Sequence, residues 1–235
     1  MAQNTGARKF GLSAAVLKYI AVITMLIDHL AASGLKIPFF RAHYNTMRDI
    51  GRIAFPLYCF FIAEGLLHTK SRPKYLRNLL LCGLLSQVPY HYALYPSYPW
   101  DFRANVLFSL SLGLAAIWAV DELEKRIRNR FLWAASSAAA IAAACWAAVF
   151  FRVSYQWGAV LTIAAFYLFR KIPALAAAAA YGILCYYSSS EVPAWPAFLL
   201  ILLYSGEKGR QNKLFFYAFY PVHLALIALL KFFGL

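Results

Sequence analysis

The chain has 235 residues, 63% of them hydrophobic and only 14% charged, with a formal net charge of +14 and a mean hydropathy of +0.60. Soluble globular chains carry about 45–50% apolar and about 25% charged residues, so the composition excludes a soluble enzyme and gives no reason to expect a nucleic-acid partner. A single integral membrane domain over residues 1–235, embedded in a lipid bilayer, is the expectation at this length.

About 20 apolar residues cross a bilayer core. Apolar runs at 12–34, 50–68, 76–95, 105–120, 131–150, 156–169, 173–187, 194–204 and 213–232 predict an all-α polytopic bundle of about nine transmembrane helices, within a range of eight to ten, the sixth to eighth being short. The first run is too long for the core of a signal peptide and reads as the first span. With the N-terminus in the cytoplasm, inside segments hold sixteen of the basic residues and outside segments seven. Arg8, Lys9, Lys18, Lys70, Arg72, Lys74, Arg77 and the run DELEKRIRNR at 121–130 are among the inside ones. This positive-inside distribution puts the N-terminus in and the C-terminus out. Two alanine-rich tracts, AASSAAAIAAACWAAV and ALAAAAAY, read as close helix-packing surface. The aromatic cluster YHYALYPSYPW at 90–100 reads as an interfacial belt. Cys59, Cys82, Cys145 and Cys185 stand singly, with no CxxC pair, so neither a disulfide framework nor a metal site is expected.

Ionisable groups inside spans are costly and raise functional hypotheses. Asp28 and His29, in ITMLIDHLAASG, lie about sixteen residues into the first span, about 24 Å along its axis. Adjacent helical residues point about 100° apart, so Asp28 cannot orient its neighbour's ring and needs another partner. Arg48 and Arg52, in RDIGRIAFP, stand at similar depth, and an Asp28–Arg52 pair is expected, leaving His29 for chemistry. Pro56 is expected to kink the second span. Glu64 is twelve residues from Arg52, about 18 Å away, and belongs to another site with His68 one turn below. Gln87, Asn105 and Gln156 map to outer ends of spans and are expected to line a cavity with His29; His223, in FYPVH, sits near mid-depth of the last span. A histidine there can take a proton from an amine or hydroxyl near neutral pH. Basic inner loops suit a donor with several phosphates, such as a coenzyme A ester.

At this point a resemblance enters. LKYIAVITMLIDHLA, RDIGRIAFPLYCFFIAEGLLHTKSRPKYLRNLLLCGLLSQVPY, NVLFSLSLGL and LYSGEKGRQNKLFFYAFYPVHLALI, in that order, resemble the TraX family of bacterial membrane proteins. The likeness runs over nearly the whole chain, with a poor match from about 121 to 155. The resemblance implies acetylation linked to conjugative pilin, and a distant likeness to multi-span acyltransferases. Those enzymes take acetyl-CoA from the cytosolic side and modify an acceptor on the other side through a membrane histidine. It implies a bacterial inner-membrane location and His29 as the matching catalytic position, with a pilin-like protein or a surface glycan as acceptor.

The expected enzyme uses His29 as general base or as carrier of the acetyl group, Asp28 and Arg52 to hold the site, and Asn105 or Gln87 to donate to the oxyanion. Arg72, Lys74, Arg77, Lys208, Arg210 and Lys213 would face the coenzyme A moiety, with Glu64 nearby. Two other classes fit the same residues: a proton-coupled transporter, since buried Asp, Glu and His also build proton relays, and a non-catalytic scaffold of a conjugation or secretion apparatus.

Overall fold

The structure is a computed structural model that describes residues 11–95 and 103–234, the side chain of Lys213 excepted. Arg8, Lys9 and the aromatic residues at 96–100 lie outside the described residues. The elements are α1 (Ala14–Ala32), α2 (Pro38–Ala42), α3 (Tyr44–Gly51), α4 (Ala54–His68), α5 (Arg72–Leu94), α6 (Val106–Arg126), α7 (Arg130–Phe150), α8 (Gln156–Leu168), α9 (Pro173–Tyr187), a 3-10 turn (Ser189–Ala194), α10 (Trp195–Leu202) and α11 (Lys213–Phe232). Among the described residues there is no β-strand, only a bridge between Leu12 and Tyr204.

Short polar side chains set where the helices begin. Ser13, Ser71, Asn105, Asn129 and Asn212 each accept a hydrogen bond from a backbone N–H of the first turn that follows, satisfying donors that have no partner inside the helix. Helices lie at each of the nine apolar runs. Five stretches are long and apolar enough to cross a membrane: Ala14–Ala32, Tyr44–His68, Val106–Arg126, Arg130–Phe150 and Leu214–Phe232. α5 has 23 residues but carries Arg72, Lys74, Arg77, Asn78, Gln87 and His91. α8, α9 and α10 are apolar but short, with 13, 15 and 8 residues; at 1.5 Å per residue even α9 falls short of a core about 30 Å thick.

Pro56 does not kink α4. It stands at the third position of that helix, in the first turn, where the missing N–H leaves no bond inside the helix unmade. The break falls before it, at Arg52 and Ile53, where α3 ends and α4 begins.

Polar contacts gather the helix ends into two opposite groups. At one end the loop before α11 joins the start of α1, through Ala14 N–H to Glu207 O at 2.8 Å and Ala15 N–H to Lys208 O at 3.1 Å. At the same ends of the helices, Arg72 at the start of α5 reaches Asp121 at 2.6 Å and Glu122 at 2.7 Å near the end of α6. Tyr167 donates to Asp121 at 2.7 Å. At the opposite end Lys231 Nζ donates to Ser33 O at 2.5 Å and Ala93 O at 2.8 Å, one ammonium tying α11 to the ends of α1 and α5. Close approach between helices rests on glycine where it matters: a Cβ on Gly113 of α6 would overlap Ile163 of α8.

Candidate active site

A cavity of about 710 Å³ opens beside the C-terminal end of α1. Its wall takes residues from α1, from the α3–α4 break, and from α5 and α6 near residues 90–106. The α7–α8 turn, the 3-10 turn and α11 complete it. Asp28, His29, Arg48, Arg52, Tyr58, Tyr155, Gln156, Glu191 and Tyr220 are all on it.

Two carboxylates, Asp28 and Glu191, and four arginines, Arg48, Arg52, Arg103 and Arg152, line the cavity, and Asp28, Glu191, Arg48 and Arg52 form one paired cluster. Arg48 Nη1 donates to Asp28 Oδ2 at 2.7 Å, and Arg52 Nη2 reaches Asp28 Oδ1 at 3.4 Å. The closer partner of Arg52 is Glu191, at 2.8 Å through Nη1, which also contacts the Tyr155 hydroxyl at 3.3 Å. The expected Asp28–Arg52 pair therefore exists, but as the longer of two contacts to Asp28, and Arg52 is shared. Glu191 is 1% exposed, so a guanidinium within hydrogen-bonding reach is what makes its burial tolerable. Gly51 lets α3 approach this cluster, because a Cβ there would overlap the Asp28 side chain.

Tyr155 is held under Arg52 by a strained turn. Arg152, Tyr155 and Gln156 have φ of 48°, 59° and 35°, the left-handed region that costs a non-glycine residue free energy unless its surroundings enforce it. The turn is pinned by Ser154 N–H to Ala104 O at 3.0 Å and by the Ser109 hydroxyl on Ser154 O. The Tyr155 ring lies flat on Phe55, centroids 3.6 Å apart at 10°.

His29 and His223 meet. His29 Nδ1 and His223 Nε2 are 2.7 Å apart, and His223 Nδ1 lies 2.7 Å from Phe219 O. The rings are nearly coplanar, at 3°, with centroids 5.0 Å apart. A carbonyl only accepts, so His223 Nδ1 carries the hydrogen. For a neutral pair one arrangement remains: His223 Nε2 accepts from His29 Nδ1–H, and His29 Nε2 keeps a bare lone pair. His223 stands behind His29, off the cavity wall, and fixes the tautomer of the ring that is on it.

Several expected site residues are elsewhere. Asn105 and Gln87 do not line the cavity. Asn105 is fully buried, and its Nδ2 donates to Gly83 O at 2.8 Å and Gln87 Oε1 at 2.9 Å. Gln87 Nε2 donates to Arg103 O at 2.8 Å. Both fasten α5 to the start of α6, because a cap residue inside the bundle needs its own amide satisfied. Glu64 pairs with His68 at 3.2 Å, near the opposite end of the molecule. Arg72 is engaged with Asp121 and Glu122, whereas Lys74, Arg77, Lys208 and Arg210 are exposed at that far end. The Lys213 side chain is outside the description. Gln156 is on the wall as expected. Glu191, Tyr155 and Tyr58 were not singled out by the sequence.

The fold and the site together define a class: a helical membrane protein with a charged, aromatic cavity at one end, backed by a histidine pair. The chain belongs to the TraX protein family, which it matches over residues 13–231. It is similar to the probable fimbrial assembly protein FimC, serogroup H1, of Dichelobacter nodosus, 32% identical across 97% of this chain and 99% of that protein. An uncharacterised protein of Rickettsia prowazekii is 33% identical over 103 residues, 44% of this chain and 36% of that one. No solved structure matches the chain at a significant level.

Proposed function

We propose that this protein is a transmembrane acyltransferase that moves an acetyl group from cytosolic acetyl-CoA to an acceptor at the outer side of a bacterial inner membrane. The helices cross about nine times, with the N-terminus in the cytoplasm. The observation that carries the reading is the His29–His223–Phe219 chain, which fixes the tautomer of a histidine that lines the cavity and leaves its Nε2 lone pair unprotonated. Among the described residues its hydrogen-bond partner is on Nδ1, which leaves Nε2 for an acceptor.

The proposed step uses that geometry. The acceptor's amine or hydroxyl attacks the thioester carbonyl carbon while His29 Nε2 takes its proton. His223 Nε2 continues to accept from Nδ1, so the new charge on His29 is met by a fixed dipole and not by reorganising water. The tetrahedral intermediate then re-forms its carbonyl, the C–S bond breaks, and the leaving thiolate takes the proton from His29. Asp28, Arg48, Arg52 and Glu191 hold α1, α3 and the 3-10 turn around the cavity.

The donor would bind through the exposed Lys74, Arg77, Lys208 and Arg210, with Lys213 at the start of α11. Ala15, bonded to Lys208 O, is fourteen residues before His29, about 21 Å along α1. That is on the scale of an extended phosphopantetheine arm. The name of the Dichelobacter relative supports a fimbrial or pilin-like protein as acceptor; a surface glycan is the other candidate.

Acetyl-CoA titrated into detergent-purified protein in a calorimeter is expected to bind with micromolar Kd, and equally in His29→Ala, since His29 acts on the acceptor and not on the nucleotide. A folded wild type that binds no acetyl-CoA would remove this reading in favour of a transporter or scaffold.

A further inference from the structure

The sequence pointed to Asn105 and Gln87 as oxyanion donors, and the structure has committed both to holding α5 against α6. The transferase reading therefore needs a group other than those two for the carbonyl oxygen. Arg48 and Arg52 are anchored to Asp28, Glu191 and Tyr155 through their Nη atoms, which fixes them as the charged cluster that holds the wall together. The cavity wall nonetheless carries a free hydroxyl. Gly51, Ala54, Phe55 and Tyr58 line the cavity in succession along α3 and α4, the three- and four-residue spacing of one helix face. Tyr58 is half-buried, and its hydroxyl bonds to nothing among the described residues. Beside it is Tyr220, whose ring stands edge-on to His29 at 6.2 Å and to His223 at 5.6 Å between centroids.

We infer that Tyr58 is a catalytic residue, its hydroxyl the hydrogen-bond donor to the carbonyl oxygen of the acyl group in the tetrahedral intermediate. The inference rests on the transferase reading and deepens it. A phenol is suited to the place. It donates one directed hydrogen bond without adding a further charge to a wall that already carries two carboxylates and four guanidiniums. When the acceptor adds to the carbonyl carbon, the π electrons move to oxygen and are met by Tyr58 O–H. When the C–S bond breaks they return to the carbonyl, and the hydroxyl keeps its proton throughout. A donor already in place needs no reorganisation as charge develops.

Tyr58→Phe tests this cleanly because the hydroxyl it removes has no partner among the described residues. Its melting temperature is expected to match the wild type. Thiol release from acetyl-CoA is to be followed with glucosamine or a short peptide with a free N-terminus as acceptor. The variant's kcat is expected to fall about 10²–10³-fold, the usual loss for one oxyanion donor, with KM for acetyl-CoA and the pH profile unchanged. A Tyr58→Phe protein with wild-type kcat overturns the assignment and leaves the transferase reading standing. Loss of melting temperature in step with kcat would show a packing role and also overturn it. A folded wild type that binds no acetyl-CoA and releases no thiol removes the reading and this assignment together.

Discussion

His29→Ala is expected to give a protein that folds, binds acetyl-CoA and transfers no acetyl group above background. The ring's contacts are its hydrogen bond to His223 and an edge-on contact with Tyr220, and its removal leaves His223 Nε2 next to a cavity that water can enter, so stability falls little. Activity falls by the full contribution of a positioned base, typically 10²–10⁴-fold. His223→Phe keeps the ring volume and the Phe219 neighbourhood but no longer accepts from His29 Nδ1–H. His29 is then free to carry its hydrogen on Nε2, the wrong nitrogen for a base facing the cavity. A loss in kcat with acetyl-CoA affinity intact is expected. Thiol release and calorimetry on the same preparations check both, and a His223→Phe enzyme with wild-type kcat would show that tautomer control is not its task.

The second large effect is on folding. Arg52 is 11% exposed in its side chain and faces a Glu191 side chain that is 2% exposed, with Asp28 as third member. Arg52→Ala leaves the Glu191 carboxylate buried without a cation, a cost of about 3–5 kcal/mol for a broken buried pair. Total stabilities are only about 5–15 kcal/mol, so little or no monodisperse protein is expected. Arg52→Lys is not expected to rescue it, because a single ammonium cannot span Glu191, Tyr155 and Asp28 as a planar fork does. The double change Arg52→Met with Glu191→Leu is expected to recover most of the lost melting temperature, since replacing both partners leaves no buried charge uncompensated. Arg48→Ala should cost less: Arg48 is 28% exposed, and Asp28 keeps Arg52. Thermal unfolding of the four variants in one detergent orders them, and an Arg52→Ala protein as stable as wild type would contradict the role given to the cluster.

The bundle was legible because lipid imposes a simple rule: apolar runs become helices, and each run holds one. The count of crossings was less so, since α8, α9 and α10 are apolar yet shorter than a bilayer core is thick. Asp28, His29, Arg48 and Arg52 were legible as a group because charge inside an apolar run is expensive and so stands out. His223 stands out for the same reason, but its contact with His29, 194 positions earlier in the chain, has no signature in the sequence. Glu191 carries little signal because SSSEVP has the composition of an ordinary polar connector; the one cue is an acid with no nearby base. Tyr58 and Tyr155 carry no signal in a chain with 16 tyrosines. Asn105 misled in the other direction. A polar residue at the mouth of a span looks like a site residue, but here it caps α6.

The most direct test of the account is transfer across a membrane. The protein is reconstituted into vesicles with glucosamine and a free N-terminal peptide trapped inside, and acetyl-labelled acetyl-CoA is added outside. The account expects label in one of the trapped acceptors, dependent on the protein and absent with His29→Ala. Vesicles holding folded wild-type protein that never label the lumen, alongside a flat acetyl-CoA titration, would contradict it.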